Sequence, residues 1–193
     1  MERLFTEFFE KSISPSAVAI GPDYALLLVN DAWARLFGFS KAEATGKTAY
    51  QLGIIRDPHL RSRVFGQLMP SGSVTEMDMV LYDRSGNELH VLNNLTRLDL
   101  DGKEYLLSSL HDITEHKRAA DESRRHDAAL LDGLTGRERD VLKLVVAGCS
   151  NKDIAAQLGI SYRTVEVHRS HCIRKLGTRS LIRIKQIVDA GHL

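Results

Sequence analysis

The 193-residue sequence lacks most of the features that would tie it to a membrane, a secretion route or a catalytic reaction. It has two cysteines, Cys149 and Cys172, whose separation gives neither zinc-ligand spacing nor the framework of a small disulfide-rich domain. A reducing compartment would keep both as thiols, which behave as small buried apolar residues. No apolar run approaches the ~18 residues of a membrane span. Met1–Lys11 carries acidic residues and does not form the apolar core of a secretory signal. These absences place the expected protein in the cytoplasm. A phosphate loop, a nucleophile elbow and a clustered carboxylate pair with matching partners are also missing, so the residues suggest no enzyme.

What is present describes an ordinary globular chain, 43% hydrophobic and 26% charged, with room for one large domain or two small ones. The formal net charge of +1 conceals an asymmetry. From Asp132 to Leu193 eleven basic residues face six acidic ones, a net of +5, which leaves −4 on the remainder. A basic block on an acidic body suggests a polyanionic partner for the block alone.

The stretch 17–114 alternates in a mixed α/β pattern. Ala17–Ile20 and Ala25–Val29 read as short strands around the turn cluster Gly21-Pro22-Asp23. Asn30 or Asp31 can cap a short helix ended by Gly38, and Ser40–Thr45 makes another helical piece closed by Gly46. Leu60, Val64 and Leu68 at four-residue spacing predict a helix over Asp57–Met69. Three longer strands follow: Ser73–Tyr82, with Thr75, Met77, Met79 and Leu81 on one face, then Glu88–Leu100 and Lys103–His111. They are separated by the turns Asp83–Asn87 and Asp101-Gly102. Asp112–Asp132 is polar, alanine-rich and free of Gly and Pro, which favours a connecting helix or a weak coiled coil over a flexible linker.

From Thr135 onward the pattern is helical. Thr135-Gly136-Arg137-Glu138 is a capping box, Val141, Leu142 and Val145 form an apolar stripe, and Gly148 ends the helix. Ser150 and Ser161 cap two further helices separated by Gly159. A last amphipathic helix spans about Ser180–Ala190. Two helices that cross steeply after a short turn need a small residue at their contact, a turn residue able to take positive φ, and an apolar anchor on the second helix. Ala155, Gly159 and Val165 supply these in order.

The stretch LTGRERDVLKLVVAGCSNKDIAAQLGISYRTVEVHRSHCIRKLG resembles the LuxR/FixJ-type helix-turn-helix, most specifically in NKDIAAQLGIS and TVEVHR. The resemblance covers Leu134–Leu193. It implies a four-helix domain whose third helix enters the major groove of double-stranded DNA and whose fourth helps form a homodimer on DNA. Leu181, Ile184, Ile187 and Val188 are then the dimer candidates. Exposed residues at the start of the recognition helix reach base edges, which singles out Arg163, Glu166, Val167, Arg169 and Ser170. Glu166 can accept from cytosine, Arg169 can donate to guanine, and Val167 can touch a thymine methyl. Asn151, Lys152, Thr164, His168 and Lys175 suit phosphate contacts or helix support. His168 and His171 stand three apart without an evident third metal ligand, so no metal is expected.

Residues 17–118 resemble a PAS domain through VNDAWARLFGFS, LGIIRDPHLRSR, the DRSGNELHVL hairpin and LHDITEHKRA, in that order. The resemblance implies a five-stranded antiparallel sheet with small helices around a small cavity. Alternation offers Met77, Met79, Leu81, Leu89, Val91, Asn93, Leu106, Ser108 and Leu110 as lining, with Trp33, Phe37 and Val64 from the helices. These residues would line a ligand pocket or simply fill a dry core. The flavin-binding subgroup called LOV carries a cysteine motif before its long helix, where this chain has GKTAYQLGI. Its flavin-contacting amides fall near Leu81, Val91 and Leu110. Flavin is therefore not expected, and the cofactor is left unknown. Haem-binding members use a His on the long helix, sometimes with a Met on the next strand. His59 with Met77 or Met79 offers such a pair, but His59 follows Asp57-Pro58 at the first turn and reads better as a surface residue. The acidic cluster and phosphorylatable Asp of a FixJ-type receiver are absent.

The whole reads as an α+β chain: an N-terminal extension (1–16), a PAS sensor (17–118), a connecting helix (119–133) and an all-α four-helix DNA-binding domain (134–193). The expected function is a sequence-specific transcriptional regulator whose sensor responds to a small ligand or partner. One route is release of the DNA-binding domain from the PAS surface, exposing the last helix for dimerisation. The rival is a signalling protein whose PAS domain docks a kinase or other partner, with DNA binding secondary.

Overall fold

Short apolar runs punctuated by turn residues become a sheet. In the computed structural model, which describes residues 2–190, β1 (Ser16–Ile20) and β2 (Ala25–Val29) pair as a hairpin, and β3 (Ser73–Tyr82), β4 (Glu88–Leu100) and β5 (Lys103–Asp112) pair as a meander. All the pairings are antiparallel, and the spatial order is β2-β1-β5-β4-β3. At the β4–β5 turn Asp101 and Gly102 take φ of 51° and 73°, as a two-residue hairpin loop of the primed type requires.

Two strands depart from simple alternation: β2, whose register with β1 shifts between Val18 and Ala19 so that Leu27 and Leu28 are both exposed, and β3. The β3–β4 register shifts between Val74 and Met77, where Glu76 takes a φ of 53° and donates its N–H to Asn94 Oδ1 at 2.9 Å. The extra residue reverses the phase of the strand. Met77, Met79 and Leu81 face the core as alternation requires, but Val74 and not Thr75 extends that face.

The helices of this first unit, which ends at Lys117, are α1 (Glu2–Lys11), α2 (Asp31–Phe37), α3 (Lys41–Ala44) and α4 (Leu60–Ser71). Of the two possible caps for α2, Asn30 is the one used. Its fully buried amide oxygen accepts from the N–H of Trp33 at 2.8 Å and of Ser16 at 3.0 Å, while its nitrogen donates to the carbonyls of Phe9 and Ser14. One side chain thereby joins β1, α2 and the end of α1. α4 starts three residues later than the periodicity suggests, because the Asp57 carboxylate accepts the His59 N–H at 2.8 Å and holds a turn there. Trp33, Phe37, Ile54, Leu60, Val64 and Leu68 meet Met79, Leu81, Val91, Leu95 and Leu110 in one core.

α5 (Thr114–Asp132) crosses from this unit into the second, which begins at Arg118. Its first turn is fixed in the first unit. The Thr114 hydroxyl donates to the Asp112 carboxylate at 2.6 Å and accepts the His90 N–H at 2.9 Å, and Lys117 pairs with Asp78 at 2.7 Å. The second unit continues with α6 (Gly136–Val146), α7 (Asn151–Leu158), α8 (Tyr162–Leu176) and α9 (Leu181–Ala190). Its core has two parts. Val141 and Val145 of α6 pack on Ile154 and Val165, and Leu131 and Leu134 pack with Leu142, Cys172, Leu176, Ile184, Ile187 and Val188. Among the described residues no helix is long and apolar enough to cross a membrane.

Candidate nucleic-acid interface and sensor cavity

The turn between α7 and α8 is built by two caps. Gly159 ends α7 at φ 65°, a conformation that glycine adopts without strain, and its N–H returns to the Ala155 carbonyl. Ser161 then caps α8, accepting the Thr164 N–H at 3.1 Å, while the Ser161 and Thr164 hydroxyls lie 2.7 Å apart. Val165, Cys172 and Leu176 bury one face of α8. The opposite face is open: Arg163, Glu166, Val167 and Ser170 are exposed together, and Lys152 is exposed at the start of α7. Tyr162 and Arg174, which the sequence reading omitted, are exposed as well. Arg174 follows Val167 by seven residues and Ser170 by four, a spacing that identifies it on the same face.

The other candidates divide by their partners. Arg169 is half-buried and donates to Asn151 Oδ1 at 2.5 Å, so the two tie α8 to the first turn of α7. His168 is half-buried, with an Nδ1 that finds no partner among the described residues. Lys175 donates to Glu138 Oε2 at 2.6 Å, so its position is one of helix support. Glu138 is 3% exposed and completes the Thr135 capping box, and His171 Nδ1 lies 3.5 Å from its other oxygen. The Lys175 ammonium, followed by the Thr135 N–H, holds this carboxyl down at about 2. Burial, and then the nearby Glu138 charge, pushes the Cys172 thiol up to about 11, which leaves it inert as a nucleophile.

α9 corrects one expectation. Ile184, Ile187 and Val188 are buried in the core of their own unit and are not available to a second chain. A unit as small as residues 118–193 has few apolar residues to enclose, and this stripe is needed at home. Among the described residues the exposed large apolar side chains of α9 are Leu181 (54%) and Ile182 (75%), so of the four dimer candidates Leu181 alone is exposed.

In the first unit, α4 and the inward residues of the sheet enclose a cavity of about 150 Å³. Of the predicted lining, Trp33, Phe37, Val64, Met79, Leu81, Asn93, Leu106, Ser108 and Leu110 border it. Met77, Leu89 and Val91 do not; they pack in the surrounding core instead. Ala17, Tyr24, Ile54, Phe65 and Leu95 border it without having been predicted; Ile54 arrives on an irregular loop with no periodicity to read. Inside, the Ser108 hydroxyl donates to Asn93 Oδ1 at 2.9 Å, and Asn93 Nδ2 reaches the Met79 sulfur at 3.6 Å. Tyr24, Phe65 and Arg61 border both the cavity and an outer groove containing Glu104. Burial and the accepting Glu104 carboxylate push the Tyr24 phenol up to about 12, so it stays a donor at neutral pH.

The positions that the haem and flavin readings single out do not supply what those groups need. His59 is an exposed helix cap away from the cavity lining, and so is no axial partner for an iron inside it. Leu81 and Leu110, which do line the cavity, offer a flavin ring no hydrogen bond.

This arrangement of five strands and flanking helices around a cavity is shared with known proteins. Residues 15–115 match the family described as PAS domain. The chain belongs to the PAS domain family. Residues 132–188 match the luxR family of bacterial regulatory proteins, so the second unit carries that family's helix-turn-helix. FixJ of Rhizobium meliloti, a transcriptional regulatory protein, is 42% identical over 90 residues, 45% of this chain and 44% of that one. TdiR of Thauera aromatica, also a transcriptional regulatory protein, is 52% identical over 62 residues, 32% and 27% of the two chains. The chain thus spans less than half the length of these curated relatives. Among solved structures, a PAS domain from Colwellia psychrerythraea shares the fold with a TM-score of 0.54 and 18% identity, over 59% of this chain and 98% of that one. An RNA-binding Light-Oxygen-Voltage receptor shares it with a TM-score of 0.52 and 23% identity, over 60% of this chain and 34% of that one.

Proposed function

We propose that this PAS protein is a one-component transcriptional regulator of the bacterial cytoplasm, with no catalytic activity of its own. Its second unit binds duplex DNA through α8, and its first unit senses a small ligand that biases this binding. The observation that carries the reading is the open face of α8. Arg163, Glu166, Val167 and Ser170 share it, while Val165, Cys172 and Leu176 bury the opposite side. Such a helix can enter the major groove, which distinguishes all four base pairs. Arg163 and Val167 then read base edges, and Lys152 meets phosphate. Arg169, Asn151 and Lys175 hold α7, α8 and α6 in register. The chain binds as a homodimer that closes through Leu181 and Ile182, spanning half-sites about one helical turn, ~10 base pairs, apart.

The test is selection of duplexes from a random pool by the full chain, followed by affinity measurements on the winner. Arg163→Ala and Val167→Ala should weaken the selected site about 5- to 100-fold and relax the preference at single positions. Lys152→Ala should weaken all duplexes alike and flatten the salt dependence by about one ion. Equal affinity for selected and random duplexes at physiological salt would overturn the reading.

A further inference from the structure

The cavity of the first unit is specific enough to indicate what enters it, given the reading above that this unit senses a small ligand. Its volume is about 150 Å³. Apolar cavities of about that size accept a benzene-sized molecule, and pockets for larger organic ligands begin near ~300 Å³. A single ring therefore fills the inner cavity, which shares Tyr24, Phe65 and Arg61 with the outer groove. Charge limits the occupant further. The interior walls are Trp33, Phe37, Ile54, Val64 and Leu110, and the charged residues that border the cavity, Asp23 and Arg61, are exposed. An ionised group among those walls would lose its hydration without a partner.

The third constraint is the amide in the wall. Asn93 is 5% exposed and stands on a strand face otherwise made of Val91 and Leu95. Its oxygen accepts the Ser108 hydroxyl at 2.9 Å. Its nitrogen, with two hydrogens to give, has only the Met79 thioether at 3.6 Å among the described residues. Sulfur of this kind is a weak acceptor, and a buried donor left on it is poorly satisfied. The cavity borders the same amide, so an oxygen carried in by a ligand can take the vacant hydrogen.

We propose that the cavity binds an uncharged single-ring molecule bearing one hydrogen-bond-accepting oxygen, a cyclic ketone or a simple phenol, with the ring between Trp33, Phe37 and Val64 and the oxygen on Asn93. The experiment is calorimetric titration of the full chain with cyclohexanone, phenol, benzene and benzoate, with affinity for the selected duplex read on the same preparations. Cyclohexanone and phenol should bind about 3- to 10-fold more tightly than benzene, as one net hydrogen bond allows, and benzoate should not bind. Asn93→Leu should bring the ketone down to the level of benzene while keeping benzene binding, and Val64→Trp should abolish all of it. Unchanged Trp33 emission certifies the fold of Asn93→Leu. Benzene binding as tightly as the ketone, benzoate binding through Arg61, or no binding of any probe would each overturn the proposal. No binding together with intact duplex affinity removes the ligand class but leaves the DNA-binding reading standing. Ring binding that leaves duplex affinity unchanged supports the site and removes its regulatory role.

Discussion

Glu138 enters the fold as half of a capping box and ends as a buried counter-ion. The first role is written locally, since Thr135 and Glu138 are three residues apart and their reciprocal bonds follow from spacing. The second depends on Lys175, which packing alone brings to 2.6 Å. Sequence reading left Lys175 open between phosphate contact and helix support for that reason. The pairing has a pH signature. The carboxyl is held near 2 in the folded chain, against an ordinary value of 4.5. A depressed acid contributes its full stability above its unfolded value, and loses it as pH falls from about 4.5 through about 2. Glu138→Gln should therefore cost about 1–2 kcal/mol at neutral pH, with the gap to wild type shrinking below pH 4. Urea unfolding followed by far-UV circular dichroism at pH 7 and pH 3 measures it. The emission of Trp33, the single tryptophan and a residue of the first unit, should not respond. An equal gap at both pH values would mean that the glutamate acts through its shape and not its charge.

At the scale of elements, the sequence was most legible where capping and period agreed. α6, α7 and α8 begin directly after their caps Thr135, Ser150 and Ser161. It was least legible where a local bond overrode the period: the Asp57–His59 turn that delays α4, and the bulge at Glu76 that moves Val74 inward. α9 shows a different limit. Its apolar stripe was visible, but a stripe does not say whether it faces its own core or another chain. Here Ile187 is fully buried, whereas Leu181 and Ile182 are exposed. Two outcomes follow. Ile187→Ala should destabilise the second unit by about 2–4 kcal/mol. Leu181→Ser with Ile182→Ser should leave its melting temperature within a degree or two of wild type, since surface changes cost little, yet weaken binding to a two-half-site duplex more than to a single half-site. Thermal melts and gel-shift titrations on both duplexes check this. Equal weakening on the two duplexes would place the dimer contact elsewhere.

At the scale of the molecule, where the DNA-binding unit begins is a question about α5. The helix-turn-helix resemblance starts at Leu134, and the preceding polar helix reads from sequence as a connector, because its apolar residues are too sparse for a heptad. Yet Leu131 is buried with Leu142, Ile184 and Ile187. Asp127 is buried too, taking both guanidinium nitrogens of Arg183, at 2.6 and 3.1 Å. The last turns of α5 are thus part of the second unit's core, and a small domain cannot spare them. A fragment of residues 118–193 should unfold cooperatively. A fragment of residues 134–193 should lose about 3 kcal/mol or more, from the vacated Leu131 site and the lost carboxylate of Asp127, and be largely unfolded at 37 °C. Leu131→Ala with Asp127→Ala in the longer fragment should reproduce most of that loss, which separates the two side chains from chain length as such. Far-UV melts of the three species decide the matter. If residues 134–193 melted with the longer fragment, α5 would be only a connector, and a signal from the first unit would have no packed element of the second to act upon.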